Sequence, residues 1–161
     1  MNQQFDYIEM KVPAKPEYVG VVRLTLSGVA SRMGFSYESI EDIKVATGEA
    51  CTNAVQHAYR KNEGGEITIG YGIYKNRLEV MIADNGMSFD FEKMKEEIGP
   101  HTIEDSVEKL PEGGLGLYII DSLMDKVRVH HNYGVTVFMT KYLQGKQVEK
   151  NESRISTYSR K

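Results

Sequence analysis

Glu49, Asn53 and His57 stand four residues apart in the stretch Glu49-Ala50-Cys51-Thr52-Asn53-Ala54-Val55-Gln56-His57. On a helix that spacing puts all three on one side, with a carboxylate and a carboxamide one turn apart. Such a pair suits a proton acceptor beside a hard cation. Magnesium takes oxygen ligands and keeps several waters, so one Asn oxygen plus phosphates can hold it. An ordinary solvated helical face would show the same spacing. Asp84 offers a second kind of chemistry, since it continues the period-2 row Leu78, Val80, Ile82 and so directs its carboxylate to the core-facing side of a strand. A buried carboxylate needs a hydrogen-bond donor, and an adenine amino group would serve. The alternative is that the strand ends early and Asp84-Asn85-Gly86 is a surface turn. The third feature is Gly113-Gly114-Leu115-Gly116, which opens a helix. Backbone N–H groups at a glycine-rich helix start attract phosphate, aided by the helix dipole. Glycine can equally serve flexibility or close packing there.

These residues need elements to hold them. Residues 5–12 alternate, with Ile8, Met10 and Val12 on one face, and predict a strand. Pro16 suits a first helical turn, and Tyr18, Val22, Leu26, Val29 and Met33 follow at helical spacing until Gly34 supplies the stop. A second helix is predicted from about Glu38 to Arg60, with Ile40, Ile43, Thr47, Ala50, Ala54 and Ala58 as its apolar stripe. After the turn Asn62-Glu63-Gly64-Gly65, two alternating runs (Ile67, Ile69, Tyr71, Ile73, then Leu78, Val80, Ile82) read as strands joined at Lys75-Asn76.

Residues 86–113 hold Gly86, Gly99, Pro100, Pro111 and Gly113, with one short helical piece near Phe91–Ile98. A connection of that length is usually a functional loop or lid. Leu115–Met124 reads as a helix, and residues 127–131 and 135–143 as two closing strands. Residues 144–161 are polar and without period, as expected of a frayed tail. The order predicts one domain over residues 1–143. Its class is an α/β two-layer sandwich, with helices on one face of a mixed, largely antiparallel sheet.

Composition excludes several alternatives. The chain of 161 residues is 40% hydrophobic and 27% charged, the make-up of a single soluble globular domain. A formal charge of −3 argues against binding nucleic acid by phosphate neutralisation. No segment reads as a signal peptide or a membrane span, and a cytoplasmic location is expected. The lone cysteine, Cys51, forms no internal disulfide and no cysteine cage for zinc, and its mid-helix place predicts packing. There is no G-x-x-x-x-G-K-[ST], no H-R-D and no D-F-G. Gly114-Leu115-Gly116 also lacks the strand and third glycine of a dinucleotide site. His130 and His131 are adjacent and fall on opposite faces of a strand, which does not make a shared metal site.

In this order the three motifs resemble those of the GHKL ATPase superfamily, which has the Bergerat ATP-binding fold. Glu49 to His57 is similar to its N box, Asp84-Asn85-Gly86 to its first glycine box, and Gly113-Gly114-Leu115-Gly116-Leu117 to its second. The resemblance covers residues 5–143, and the short length and N-box context are most similar to bacterial anti-sigma serine kinases. It implies ATP and Mg2+ as cofactors, with ADP as product. It also implies a stress-response sigma factor held inactive, an anti-anti-sigma protein phosphorylated on serine, and a homodimer. By the same resemblance Asn53 would bind magnesium, Glu49 would act as base toward a serine hydroxyl, and Asp84 would read adenine N6. Gly86 would admit the backbone to adenine, while Gly113, Gly114, Leu115 and Gly116 would form the phosphate-binding turn under the lid. Arg23 matches a partner-contacting position; by pattern alone it lies at the edge of the first helix's stripe, where a solvated arginine fits equally. Two departures stand out: Ser88 replaces a second glycine of the first box, and Val135 separates Gly134 from Thr136. Thr136 is then the substitute for an adenine contact from the last strand.

Other readings stay open. Residues 24–43 read passably as helix-turn-helix, although Glu38, Glu41 and Asp42 in the would-be recognition helix oppose DNA. The same site could sense ATP and ADP without transfer, or pass phosphate to water. A histidine kinase fragment lacks a preceding histidine-bearing hairpin.

Overall fold

A computed structural model describes residues 4–61, 65–84, 114–131 and 135–143. The chain opens with β1 (Asp6–Pro13), a 3-10 turn at Pro16–Tyr18 and α1 (Val19–Met33). Val22, Leu26 and Ala30 recur every four residues on α1 and are fully buried, while Tyr18, Val29 and Met33 pack partly buried beside them. Gly34 ends the helix because it takes the left-handed conformation, at φ 96°. Its N–H and that of Phe35 then return to the carbonyls of Ala30 and Ser31, which satisfies the open end. Two residues on, Ser36 Oγ accepts from the Ser39 N–H at 3.1 Å and starts α2 (Tyr37–Lys61).

The α2 stripe lies on the core as its spacing predicts, with Ile43, Thr47 and Ala50 fully buried and Ala54 and Ala58 nearly so. Alanine at three of these positions (50, 54 and 58), with the buried Ala46 beside them, keeps the helix close to what it covers. The segment Tyr37–Ile43, a candidate recognition helix, forms the first turns of α2 with Ser39 and Ile43 turned inward. That packing opposes the helix-turn-helix reading.

The remaining elements are β2 (Glu66–Ile73), β3 (Arg77–Ala83), α3 (Gly114–Leu123), β4 (Lys126–His131) and β5 (Val135–Tyr142). The five strands order as β1-β2-β3-β5-β4. The sheet, expected to be mixed and largely antiparallel, is antiparallel at every described pairing. β3 and β4 run in the same direction, but β5 inserts between them, so no parallel pair bonds.

Under the helices lie Ile67, Ile69 and Tyr71 of β2, Leu78, Val80 and Ile82 of β3, and Val137 and Met139 of β5. Tyr71 OH donates to the Val22 carbonyl at 3.3 Å, which ties β2 to α1. On the opposite face a smaller cluster joins Tyr74, Met81 and Phe138 with Phe5 and Tyr7. There the Phe5 and Tyr74 rings stack at 4.7 Å, and the Arg77 guanidinium sits 3.7 Å from the Tyr74 ring.

α3 is anchored at its far end. Lys141 Nζ donates to the Leu123 carbonyl at 2.6 Å, the Asp125 N–H to Thr140 at 2.9 Å, and the Tyr142 N–H to Asp125 Oδ2 at 2.7 Å. Residues 86–113 and 144–161, expected as lid and tail, lie outside the described residues. Among the described residues no helix is long and apolar enough to cross a membrane.

Two glycines of this region should respond oppositely to alanine. A Cβ at Gly28, inside α1, or at Gly34 would meet nothing within 4 Å, so only the backbone differs between the sites. Gly28→Ala should raise the unfolding free energy by about 0.5–1 kcal/mol. Gly34→Ala should lower it by about 1–2 kcal/mol, as read from urea unfolding midpoints.

Candidate functional site

The three polar residues of α2 fan out from one helical face toward two neighbours. Glu49 and Asn53, both half-buried, point to the start of α3. A Cβ built on Gly116 would stand 3.2 Å from Asn53 Nδ2, 3.7 Å from Asn53 Oδ1 and 3.3 Å from Glu49 Oε2. Gly116 is therefore a close-approach glycine: its bare Cα leaves room for a carboxylate and a carboxamide. The helical period sets the pair one turn apart, and the packing of α3 on α2 brings it to the glycine-rich turn.

His57, one turn further on, reaches instead to the end of β3. Its Nδ1 pairs with Asp84 Oδ2, and the Asp84 side chain is 3% exposed. The other Asp84 oxygen, Oδ1, accepts from the Val135 N–H at 3.1 Å, while the Asp84 N–H donates to the Val135 carbonyl at 3.3 Å. Asp84 thus points inward as the row Leu78, Val80, Ile82 predicts, rather than sitting on a surface turn. The donors that its burial demands come from the protein itself. A carboxylate has about four lone-pair sites, so these two donors leave it able to accept a further N–H.

Other expected residues fall in different places. Gly114 and Leu115 are the first two residues of α3. Gly86 and Gly113, like Ser88 and Gly134, lie outside the described residues. Arg23 is exposed on α1, and its stem lies across α2 where a Cβ on Gly48 would stand 3.4 Å from Arg23 Cδ.

Thr136, expected as an adenine contact, lies near the start of β5. Thr136 pairs with Ala83 and His130, so Val135 is level with Asp84 and Thr136 presents its side chain on the sheet face turned away from α2. The spacing from Gly134 had put a threonine one residue too late, and a one-residue shift on a strand reverses the face.

Sequence reasoning also missed three participants: the Val135 backbone, the engagement of His57 with Asp84, and Gly48. For Gly48 a signal was present, since a glycine inside a long helix costs about 1 kcal/mol against alanine and asks for a packing reason.

The surroundings limit other chemistry. Burial pushes the Cys51 thiol up to about 12, so it is no nucleophile. Among the described residues no group of three His, Cys, Asp or Glu could cage a metal. A cation here would take one or two side-chain oxygens and draw its other ligands from phosphate and water.

A methyl group at Gly116 therefore tests the arrangement. Gly116→Ala should weaken binding of a fluorescent adenine nucleotide at least about tenfold, because both facing polar groups must give way. Far-ultraviolet circular dichroism should stay unchanged. In the same preparations, Cys51 should react with iodoacetamide at pH 8 only after unfolding.

The sequence profile of the family described as "Histidine kinase-like ATPase domain" matches residues 12–141. A Serine-protein kinase RsbW of Oceanobacillus iheyensis is 63% identical over 153 residues, covering 95% of this chain and 97% of that protein. A protein of the same name from Bacillus subtilis is 57% identical over 158 residues, covering 98% of each. A solved structure of RsbU and RsbW domains from Mycobacterium tuberculosis shares the fold, with a TM-score of 0.61 at 20% identity, over 86% of this chain and 32% of that one. By matches along nearly its whole length, the chain belongs to the histidine kinase-like ATPase family and, within it, to the serine-protein kinases named RsbW.

Proposed function

We propose that the chain transfers the γ-phosphoryl group of ATP to a serine of an anti-anti-sigma protein and, unoccupied by that substrate, holds a stress-response sigma factor inactive. The observation that carries the reading is the convergence of Glu49 Oε2 and the Asn53 amide on the Gly116 backbone, each 3.2–3.3 Å from where a Cβ would stand. A glycine-rich helix start is where phosphate binds, and these two groups are what a phosphoryl-transfer site needs beside it.

In the reaction Glu49 accepts the proton of the serine hydroxyl. The serine oxygen bonds to the γ-phosphorus as the bond to the β-γ bridging oxygen breaks, and ADP leaves. Proximity and charge neutralisation supply most of the acceleration, so the chief task of the protein is placement. Glu49 stays half-buried, near phosphate yet open to an incoming hydroxyl. Asp84 receives the adenine amino group on its remaining lone pairs. By the resemblance to anti-sigma serine kinases, the phosphates are assigned to the backbone of Gly113, Gly114, Leu115 and Gly116, and the adenine contact to Gly86.

The donor set fits magnesium. Asn53 offers one carboxamide oxygen, and a hard ion that keeps its waters needs no protein cage. When bound, Mg2+ would supply charge neutralisation to the phosphates. Asn53 would hold it, leaving Glu49, one turn away, free for the proton.

The partner-contacting role falls to Arg23. It is exposed, and Val21 (45%) and Leu24 (75%) are exposed beside it on α1. We assign residues 86–113 the role of lid, residues 144–161 that of a tail, and the working form to a cytoplasmic homodimer. These finer assignments follow the resemblance to anti-sigma serine kinases.

Three measurements separate this reading from its rivals. With γ-labelled ATP and an anti-anti-sigma protein, label should appear on the partner's serine; release as free phosphate alone would mean an ATPase, and no turnover a sensor. Glu49→Ala should cut transfer by at least about 100-fold with nucleotide affinity within a few-fold of the parent. A normal rate in that variant would sink the base assignment. Arg23→Ala should weaken sigma-factor and substrate capture while leaving ATP affinity unchanged.

A further inference from the structure

Among the described residues Asp84 has one ionisable partner, His57, and that residue has no part in the mechanism above. The pair is built into the core end of the site. Asp84 is 3% exposed at its side chain, His57 is 28% exposed, and the Nδ1 atom facing the carboxylate is itself shielded from solvent. Oδ1 is already fixed by the Val135 N–H at 3.1 Å. A backbone hydrogen bond from β5 and an imidazole contact from α2 therefore meet the carboxylate at its two oxygens.

We infer that His57 is a positioning residue that sets the choice of base: through Nδ1 it holds Asp84 as an oriented carboxylate, which accepts from a 6-amino purine and repels a 6-oxo purine. This rests on the nucleotide reading above and extends it to specificity.

The chemistry runs through Asp84. Adenine presents an exocyclic N–H, which a carboxylate accepts. Hypoxanthine presents a carbonyl oxygen at the same place, and two acceptors facing each other in a buried site are unfavourable. Discrimination is strong only while Asp84 stays an acceptor in a fixed plane. Take away the imidazole and Oδ2 loses the group that faces it, so the carboxylate can turn about its last torsion and the penalty against the 6-oxo base falls. The α2 spacing explains why a histidine can do this: the helical face that supplies Glu49 and Asn53 to the phosphates reaches the end of β3 one turn later.

The test is equilibrium binding of ATP, ITP and inorganic tripolyphosphate to the full chain and its His57→Ala and His57→Asn variants. The parent should prefer ATP. His57→Ala should lose at least about tenfold of the ATP-over-ITP preference. His57→Asn keeps a donor near the Nδ1 position and should restore most of it. Tripolyphosphate affinity should be the same in all three, as a general loss of structure would not allow. His57→Leu fills the space without a donor and carries the same comparison if alanine prevents folding. An unchanged ATP-over-ITP ratio in a folded Ala or Leu variant, or an Asn variant that behaves like Ala, overturns the inference while nucleotide binding stands. Failure of the parent to bind either nucleotide overturns the nucleotide reading, and this inference with it.

Discussion

A carboxylate shielded from water at the end of a central strand must be met by donors, and this requirement organises much of the molecule. Asp84 is held by the Val135 amide and by His57. The first fixes where β5 begins against β3; the second fixes how far α2 must extend over the sheet. Losing either partner would leave a buried charge short of a donor, a cost of several kilocalories per mole in a fold whose whole margin is about 5–15 kcal/mol. The placement of Asp84 and the sheet register are thus one constraint seen from two sides.

The second organising fact is the narrowness of α2. Its inner face is largely alanine, and glycine appears where another part approaches: Gly48 under the Arg23 stem on the same helix, and Gly116 on α3 against Glu49 and Asn53. A helix with bulkier contacts would hold its neighbours further off, and the two polar side chains would then face solvent instead of the glycine-rich turn. Close packing here sets the two polar side chains against the glycine as well as filling the core.

Most of the scaffold could be read from the residues. Period-2 rows gave β2 and β3, four-residue recurrence gave α1 and α2, and Gly34 marked the end of α1 through its left-handed backbone. Asp84 was readable because it extends an apolar row. What could not be read depended on partners distant in sequence. The antiparallel character of the whole sheet follows from β5 entering between β3 and β4, which local pattern does not specify. The face that Thr136 presents could not be read either, because residue type is visible in a sequence and register is not. His57 was visible as a member of the α2 face, but the carboxylate it meets is on another element. The roles of Gly86 and Gly113 rest on resemblance, since they fall outside the described residues.

The anchoring of α3 has a mechanical side. Its last carbonyls and the Asp125 that follows are stitched to β5 through Lys141, Thr140 and Tyr142, whereas its first residues meet α2 across a bare glycine. Such a rod is tethered to β5 at one end, with Leu117 and Ile120 buried in the core. Its ten residues span about 15 Å, so a tilt of only about 4° about the fixed end carries the glycine end through about 1 Å. That is the scale on which a nucleophile passes from idle to aligned. The strand that closes the sheet therefore also fixes one end of the helix whose other end carries Gly116.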